Sequence, residues 1–464
     1  MKQVPPGPRS KIPGALSYAF LRDPCGFFLR MHQDHGDVAY CRLGPCDVYL
    51  LSHPDLIKDV LITHSESFTR IAPFRAALRP LGQSVIMAEG GTHFRQRRLV
   101  MPAFSHSHLL AYSEIMAEEA NRFCEGCQDG QMMDIHAEMM RVAAKIAARS
   151  LFGSDVATEV DEITKAVNSL SRDGAHYSFF GFLPFGDALR NLPLPGLRRL
   201  RHSESRLHEI IYRFINSRQG SDQDRSDLLS FLLRARDPEQ AGNGLSDLQV
   251  RDECMGFFLA GGENVPNVIA WTLHLLTQHP KILRKLQAEV DDVLSGRLPS
   301  SSDLSRLGYM DMVVAESLRL YPPIWCLGRQ AVQEYKAADY SISPGSVVVC
   351  SQWVVHHDPR YYPEPCSFDP ERWAPEVSAL RPKFAFFPFG AGPRQCIGDG
   401  FANMEIMLLL ATLLQRWEFE LSPGQNVVPT ITLTLRPKNG VKIYLRSRKA
   451  AFQAVSTAHH VAAG

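Results

Sequence analysis

The chain has no apolar run of the about 20 residues that a bilayer-spanning helix needs, so no membrane anchor is expected. Its first stretch, MKQVPPGPRSKIPGALSYAF, is broken by Pro5, Pro6, Pro8 and Pro13 and fits no signal peptide. Charge of one sign is missing too. The 50 Lys and Arg face 49 Asp and Glu, which leaves no global field to attract nucleic acid. The ten cysteines are scattered without a framing pattern, which argues against a disulfide scaffold and for a reducing cytoplasm. Repeats and low-complexity linkers are absent as well. What remains is core-forming material, 45% hydrophobic over 464 residues, ample for one large interior.

Apolar spacing sets the architecture. Helical periodicity covers about 105–124, 134–152, 158–171, 200–217, 247–278, 280–295, 309–320 and 400–416. Alternation predicts two strands in DVAYCRLGPCDVYLL, residues 37–51, around a turn at Gly44-Pro45, and further strands over 344–355, 431–436 and 441–446. The 400–416 segment is apolar nearly all round, so it belongs inside the protein although it carries Glu405. The fold class is mainly α with small β-sheets. Residues 1–450 are expected to form one domain and residues 451–464 a disordered tail.

The stretch FGAGPRQCIG, Phe389 to Gly398, sets Cys396 just before that buried helix. Free N–H groups and the positive end of the helix dipole would stabilise a thiolate there. Gly390, Gly392 and Gly398 permit tight turns, and Pro393 stiffens the loop. A lone cysteine is most often inert core, and zinc would need further ligands nearby. The complete pattern Phe-Gly-x-Gly-x-Arg-x-Cys-x-Gly, however, resembles the haem-thiolate loop of the cytochrome P-450 superfamily, soluble bacterial type. That resemblance implies haem b held by Cys396 as iron ligand, with Phe389, Arg394 and Gly398 around it. It also implies a triangular prism with haem between a long distal helix and the cysteine-loop helix. A thiolate ligand pushes electron density that favours O–O cleavage.

Other segments resemble the same family in the right order. ESLRLYPP carries Glu316 and Arg319 three apart on one helix face, and FDPERW carries Arg372; in the family these three lock the cysteine loop. GTHFRQRRLVMPAF supplies His93 and Arg97 at i and i+4, matching the helix that binds haem propionates. Arg329 in IWCLGRQA occupies a further propionate position. Arg95 and Arg98 are expected to point elsewhere, toward an acidic electron donor.

FFLAGGENVPNVIAW, residues 257–271, resembles the helix across the oxygen-binding face. Ala260, Gly261, Gly262 and Glu263 fit the pattern, but Asn264 stands where an alcohol-bearing Thr is expected. A hydroxyl relays protons; an amide orients water and relays less readily. Pro266 removes the helix bond to the Gly262 carbonyl, which predicts a kink or bulge. On this reading Glu263, Asn264 and Gly262 form the catalytic group, with Asn264 and the freed carbonyl holding a water.

By the same resemblance the pocket includes parts of 70–88, Phe257, Phe258, Ala260, Gly261, Ile324 to Leu327 and Leu433. The set is mainly apolar, as a lipophilic ligand requires. Arg75 and Arg79 either meet a carboxylate or face solvent. The aromatic segment 176–186 is either core or pocket roof. CEGC at 124–127 has no second ligand pair, and His356 and His357 are read as structural. The implied activity is hydroxylation of an unactivated C–H bond in a terpenoid, steroid or fatty-acyl molecule. It uses O2 and electrons from a separate ferredoxin or flavodoxin with its reductase, and the protein is expected as a monomer. Two other readings are an isomerase or dehydratase of oxygenated lipids working without reductase, and a non-catalytic haem-binding module.

Overall fold

The computed structural model describes residues 4–153, 159–177, 192, 194–218, 227–239 and 242–448. Helices dominate. Those at His106–Glu125, Ile135–Phe152, Asp247–Gln278, Pro280–Leu294, Gly308–Leu320 and Asp399–Arg416 match the periodic segments. The longest, Asp247–Gln278, starts at a capping box in which Ser246 and Gln249 satisfy each other's backbone N–H groups. It buries residues on every side in its second half, from Val265 through Leu276. It runs through the middle of the molecule and packs on Ile135–Phe152, Gly308–Leu320 and Asp399–Arg416. No helix among the described residues is long and apolar enough to cross a membrane.

A five-stranded sheet lies to one side, in the order Val38–Leu43, Cys46–Leu51, Val347–Cys350, Leu327–Ala331, Phe68–Arg70. The first two strands form the expected hairpin, and Gly44 takes the left-handed turn position with φ 60°. The expected strand over 344–355 is shorter than its apolar run. It ends at Cys350 because the Ser351 side chain caps a helical turn, Gln352–His356. The 431–436 segment is likewise not one strand. Pro429–Ile431 and Leu435–Pro437 pair antiparallel, and residues 432–434 form the hairpin tip.

Candidate active site

The cysteine loop is closed by its own backbone, with Cys396 N–H donating to Phe389 O at 2.9 Å and Gly390 N–H to Phe387 O at 3.0 Å. Gly392 has φ 69°, and a Cβ there would come within 2.1 Å of Leu61 O, so only glycine fits. Cys396 and Gln395 are the exposed residues of the loop, yet most of the surroundings of the Cys396 sulfur are protein. Desolvation pushes its thiol up to about 11, outweighing the hydrogen bond from Gly398 N–H, and the nearby Asp399 carboxylate adds to the rise. Asp399 opens the helix, and its carboxylate offsets part of the positive potential at that helix end.

Behind the loop, Glu316 and Arg319 are wholly buried. Arg319 uses all five N–H donors: Nε and Nη2 each reach a Glu316 oxygen at 2.8 Å, and the others go to the carbonyls of His356, Pro365 and Ser367. Glu316 also accepts from Asp369 N–H at 3.0 Å and Trp373 Nε1 at 2.9 Å, and Arg372 Nε lies 3.3 Å away. His356 carries this rigidity onward, since its Nε2 accepts from Phe387 N–H at 3.3 Å, two residues before Phe389. Burial holds His356 neutral, which that acceptor role requires. Trp373, the last residue of FDPERW, is the part of the lock that the sequence reading had not singled out, whereas His356 has the structural role expected of it.

A second cluster gathers Arg70, His93, Arg97, Arg329 and Arg394. Arg394 Nη1 donates to Ala88 O at 2.6 Å, and its Nη2 pairs with Glu89. Arg70 N–H also donates to Glu89, at 3.0 Å, while Arg97 Nη1 reaches Gln395 O, next to Cys396, at 2.8 Å. Burial and the neighbouring Arg394 and Arg329 pull the Arg70 guanidinium down to about 9. His93 is pulled down to about 3 by burial and by Arg394, Arg70 and Arg97, so its ring is neutral. The Nε of Arg70 is buried without a hydrogen-bond partner. Three guanidiniums, of Arg70, Arg329 and Arg394, thus gather around the Glu89 carboxylate with Arg97 beside Arg394, and the surplus positive charge suits the two propionates of haem b. Arg70 and Glu89 were missed because neither belongs to a motif.

On the long helix, Ala260 is exposed while Gly262 and Glu263 are buried. A Cβ on Gly262 would lie 3.3 Å from Val167, so that glycine eases the approach of the Val160–Tyr177 helix, whereas one on Gly261 would make only an ordinary contact with Ala147 at 3.9 Å. Asn264 Nδ2 donates to Ala260 O at 2.9 Å, and its Oδ1 is buried without a partner. That leaves an acceptor, not a relay. The helix runs unbroken through Pro266, so no bulge interrupts it, and Val265, Val268 and Ile269 are buried beside the proline. Glu263, 2% exposed, accepts from Thr432 Oγ1 at 3.3 Å.

Among the pocket residues, Phe257 packs on Phe104, whose ring edge lies 3.6 Å from where a Cβ on Gly398 would sit. Phe104 therefore bridges the long helix and the cysteine loop. Phe258 is a correction: it is 1% exposed, with its ring against Phe152 in the core. Ile324, Leu327 and Leu433 are half-buried. Arg95 and Arg98 do not present free charge to a donor protein, because both are paired with the buried Asp237. Arg75 and Arg79 are exposed. Cys124 and Cys127 are both free thiols, and residues 178–186 lie outside the described chain.

A family model described as Cytochrome P450 matches residues 5–444. The chain belongs to the cytochrome P450 family. It is 37% identical over 402 residues to cyclooctat-9-en-7-ol 5-monooxygenase of Streptomyces melanosporofaciens, covering 86% of each chain. It is 32% identical over 442 residues to pentalenene oxygenase of Streptomyces avermitilis, covering 94% of this chain and 97% of that one. The solved structure of retinoic acid-bound cyanobacterial CYP120A1 superposes with a TM-score of 0.85 at 26% identity, over 96% of this chain and 100% of that one. This P450 is a haem b-dependent monooxygenase that takes O2, a lipophilic substrate and electrons from redox partners. Bound haem supplies oxygen reduction and C–H oxidation.

Proposed function

We propose that this P450 hydroxylates an unactivated C–H bond of a cyclic terpenoid, taking electrons from a separate ferredoxin or flavodoxin and its reductase, as a cytoplasmic monomer. The observation that carries the substrate class is the identity to two relatives named as oxygenases of cyclooctat-9-en-7-ol and pentalenene, over 86% and 94% of this chain. The pocket set agrees, since Phe257, Ala260, Ile324, Leu327 and Leu433 offer apolar surface with few polar atoms.

In this reading Cys396 binds the iron. His93, Arg97, Arg329, Arg394 and Arg70 hold the propionates, His93 as a neutral donor and the arginines as charges. Phe389 and Gly398 frame the sulfur. Glu263 handles protons on the distal side, and Asn264 Oδ1 holds a water by accepting its hydrogen. The Gly262 carbonyl, free of its helix bond to residue 266, offers a second acceptor.

Optical titration of the haem-loaded protein with cyclic terpenes, steroids and fatty acids tests the substrate class. A spin-state shift with terpenes at micromolar concentration, followed by reductant-dependent alcohol formation, is expected. Saturable shifts with fatty acids alone, or turnover without any reductant, would contradict it.

A further inference from the structure

The long helix lacks a hydroxyl at position 264, yet a hydroxyl does reach its acid from elsewhere in the chain. Thr432, at the tip of the C-terminal hairpin, sits with Oγ1 3.3 Å from Glu263 Oε1. The same Oγ1 lies 3.4 Å from Thr434 O, to which Thr432 N–H also donates at 2.9 Å. One hydroxyl hydrogen therefore has two acceptors within reach.

We infer that Thr432 is a positioning residue for Glu263, supplying from the hairpin the alcohol that the distal helix lacks. The inference rests on Glu263 handling protons as proposed above. A hydroxyl is suited to this task because it both donates and accepts. When Glu263 is ionised, Thr432 donates its hydrogen to Oε1. When Glu263 is protonated, Thr432 turns its hydrogen to Thr434 O and accepts from the acid. Glu263 keeps one orientation through a protonation cycle, and Thr432 keeps its own hydrogen throughout.

The hairpin tip is fixed closely enough to do this. Asn267 lies one helical turn beyond Glu263, at i+4, so both face the same way. Its wholly buried carboxamide donates from Nδ2 to Thr434 Oγ1 at 2.9 Å. Its Oδ1 lies 2.8 Å from Nε2 of His136, in the first turn of the Ile135–Phe152 helix. Burial lowers the His136 pKa, and a neutral ring with its hydrogen on Nε2 completes the bond. Leu435 N–H adds an anchor on Pro323 O at 2.8 Å. Two helices and the 323 segment thus hold residues 432–434 against Glu263.

The test compares Thr432→Val, Thr432→Ser, Glu263→Gln and the double variant Glu263→Gln/Thr432→Val as haem-loaded proteins. The first readout is the infrared stretching band of carbon monoxide on the reduced haem, which senses distal polarity without turnover. The second is peroxide released per NADPH consumed, with a surrogate ferredoxin and reductase and the best terpene ligand. Thr432→Val is expected to move or broaden the band as Glu263→Gln does and to raise peroxide release about three- to tenfold, the loss of one hydrogen bond. Thr432→Ser should match the parent, and the double variant should match Glu263→Gln alone. A band moved by Glu263→Gln but untouched by Thr432→Val, or additive effects in the double variant, would overturn the role of Thr432. A band untouched by Glu263→Gln would overturn both it and the reading of Glu263.

Discussion

Arg70 and Arg329 stand directly opposite each other on adjacent antiparallel strands, Phe68–Arg70 and Leu327–Ala331. Like charges in that register destabilise a sheet, and Arg394 adds a third half-buried cation close by. Glu89 is the acidic partner that Arg70 and Arg394 share. The arrangement makes sense as a seat for a dianion and costs stability without one.

Arg70→Gln should therefore split two measurements. Haem transfer from the loaded protein to excess apomyoglobin should speed up about tenfold or more, because a hydrogen bond to a charged group contributes about 1.5–3 kcal/mol. The haem-free protein should unfold at the same or higher urea concentration. Equal haem transfer rates for parent and variant would remove Arg70 from the propionate site.

The proximal lock should show a hierarchy. Glu316→Gln leaves Arg319 buried with its charge uncompensated, a loss of about 3–5 kcal/mol, and should abolish haem incorporation. Trp373→Phe removes only one donor to Glu316, about 1–3 kcal/mol, and should fold with reduced haem occupancy. Urea titration and the haem-to-protein absorbance ratio report both. Equal effects would mean that Glu316 is not the centre of the network.

Glu253 predicts an alkaline weakness. Its carboxyl, 1% exposed on the long helix, accepts from Val85 N–H at 2.8 Å, and desolvation raises it from 4.5 to about 8. A raised carboxyl contributes stability fully below pH 4.5 and loses it as pH climbs through about 8. Over that window the parent should lose about 1.4 kcal/mol per pH unit relative to Glu253→Gln, which keeps an acceptor for Val85 and carries no charge. Urea midpoints at pH 5, 6.5 and 8 (about one and a half units apart) check this. Parallel curves for the two proteins would refute it.

Much of this was legible in the sequence because it rests on local patterns. The helices at Ile135–Phe152, Asp247–Gln278 and Asp399–Arg416 follow from apolar spacing, and the Glu316–Arg319 pair follows from helix geometry. What stayed hidden depends on register and chain crossing. Arg70 meets Arg329 only because strands 259 positions apart pair in one sheet, and nothing near Arg70 announces it. Thr432 meets Glu263 through a hairpin whose tip looked like the middle of a single strand. Phe258 was placed in the pocket by resemblance, which does not reveal which neighbour fills each face of the helix; Phe152 packs against it. Arg95 and Arg98 looked free because Asp237 lies far along the chain.

The account depends most on Cys396 being the axial ligand of haem iron. The absorption spectrum of the reduced, carbon monoxide-treated protein tests it, with Cys396→His as the control. The parent should show the long-wavelength Soret band of thiolate coordination, and Cys396→His should bind haem but give the shorter-wavelength band of an imidazole ligand. Identical spectra from the two proteins, with both bands at the shorter wavelength, would contradict it.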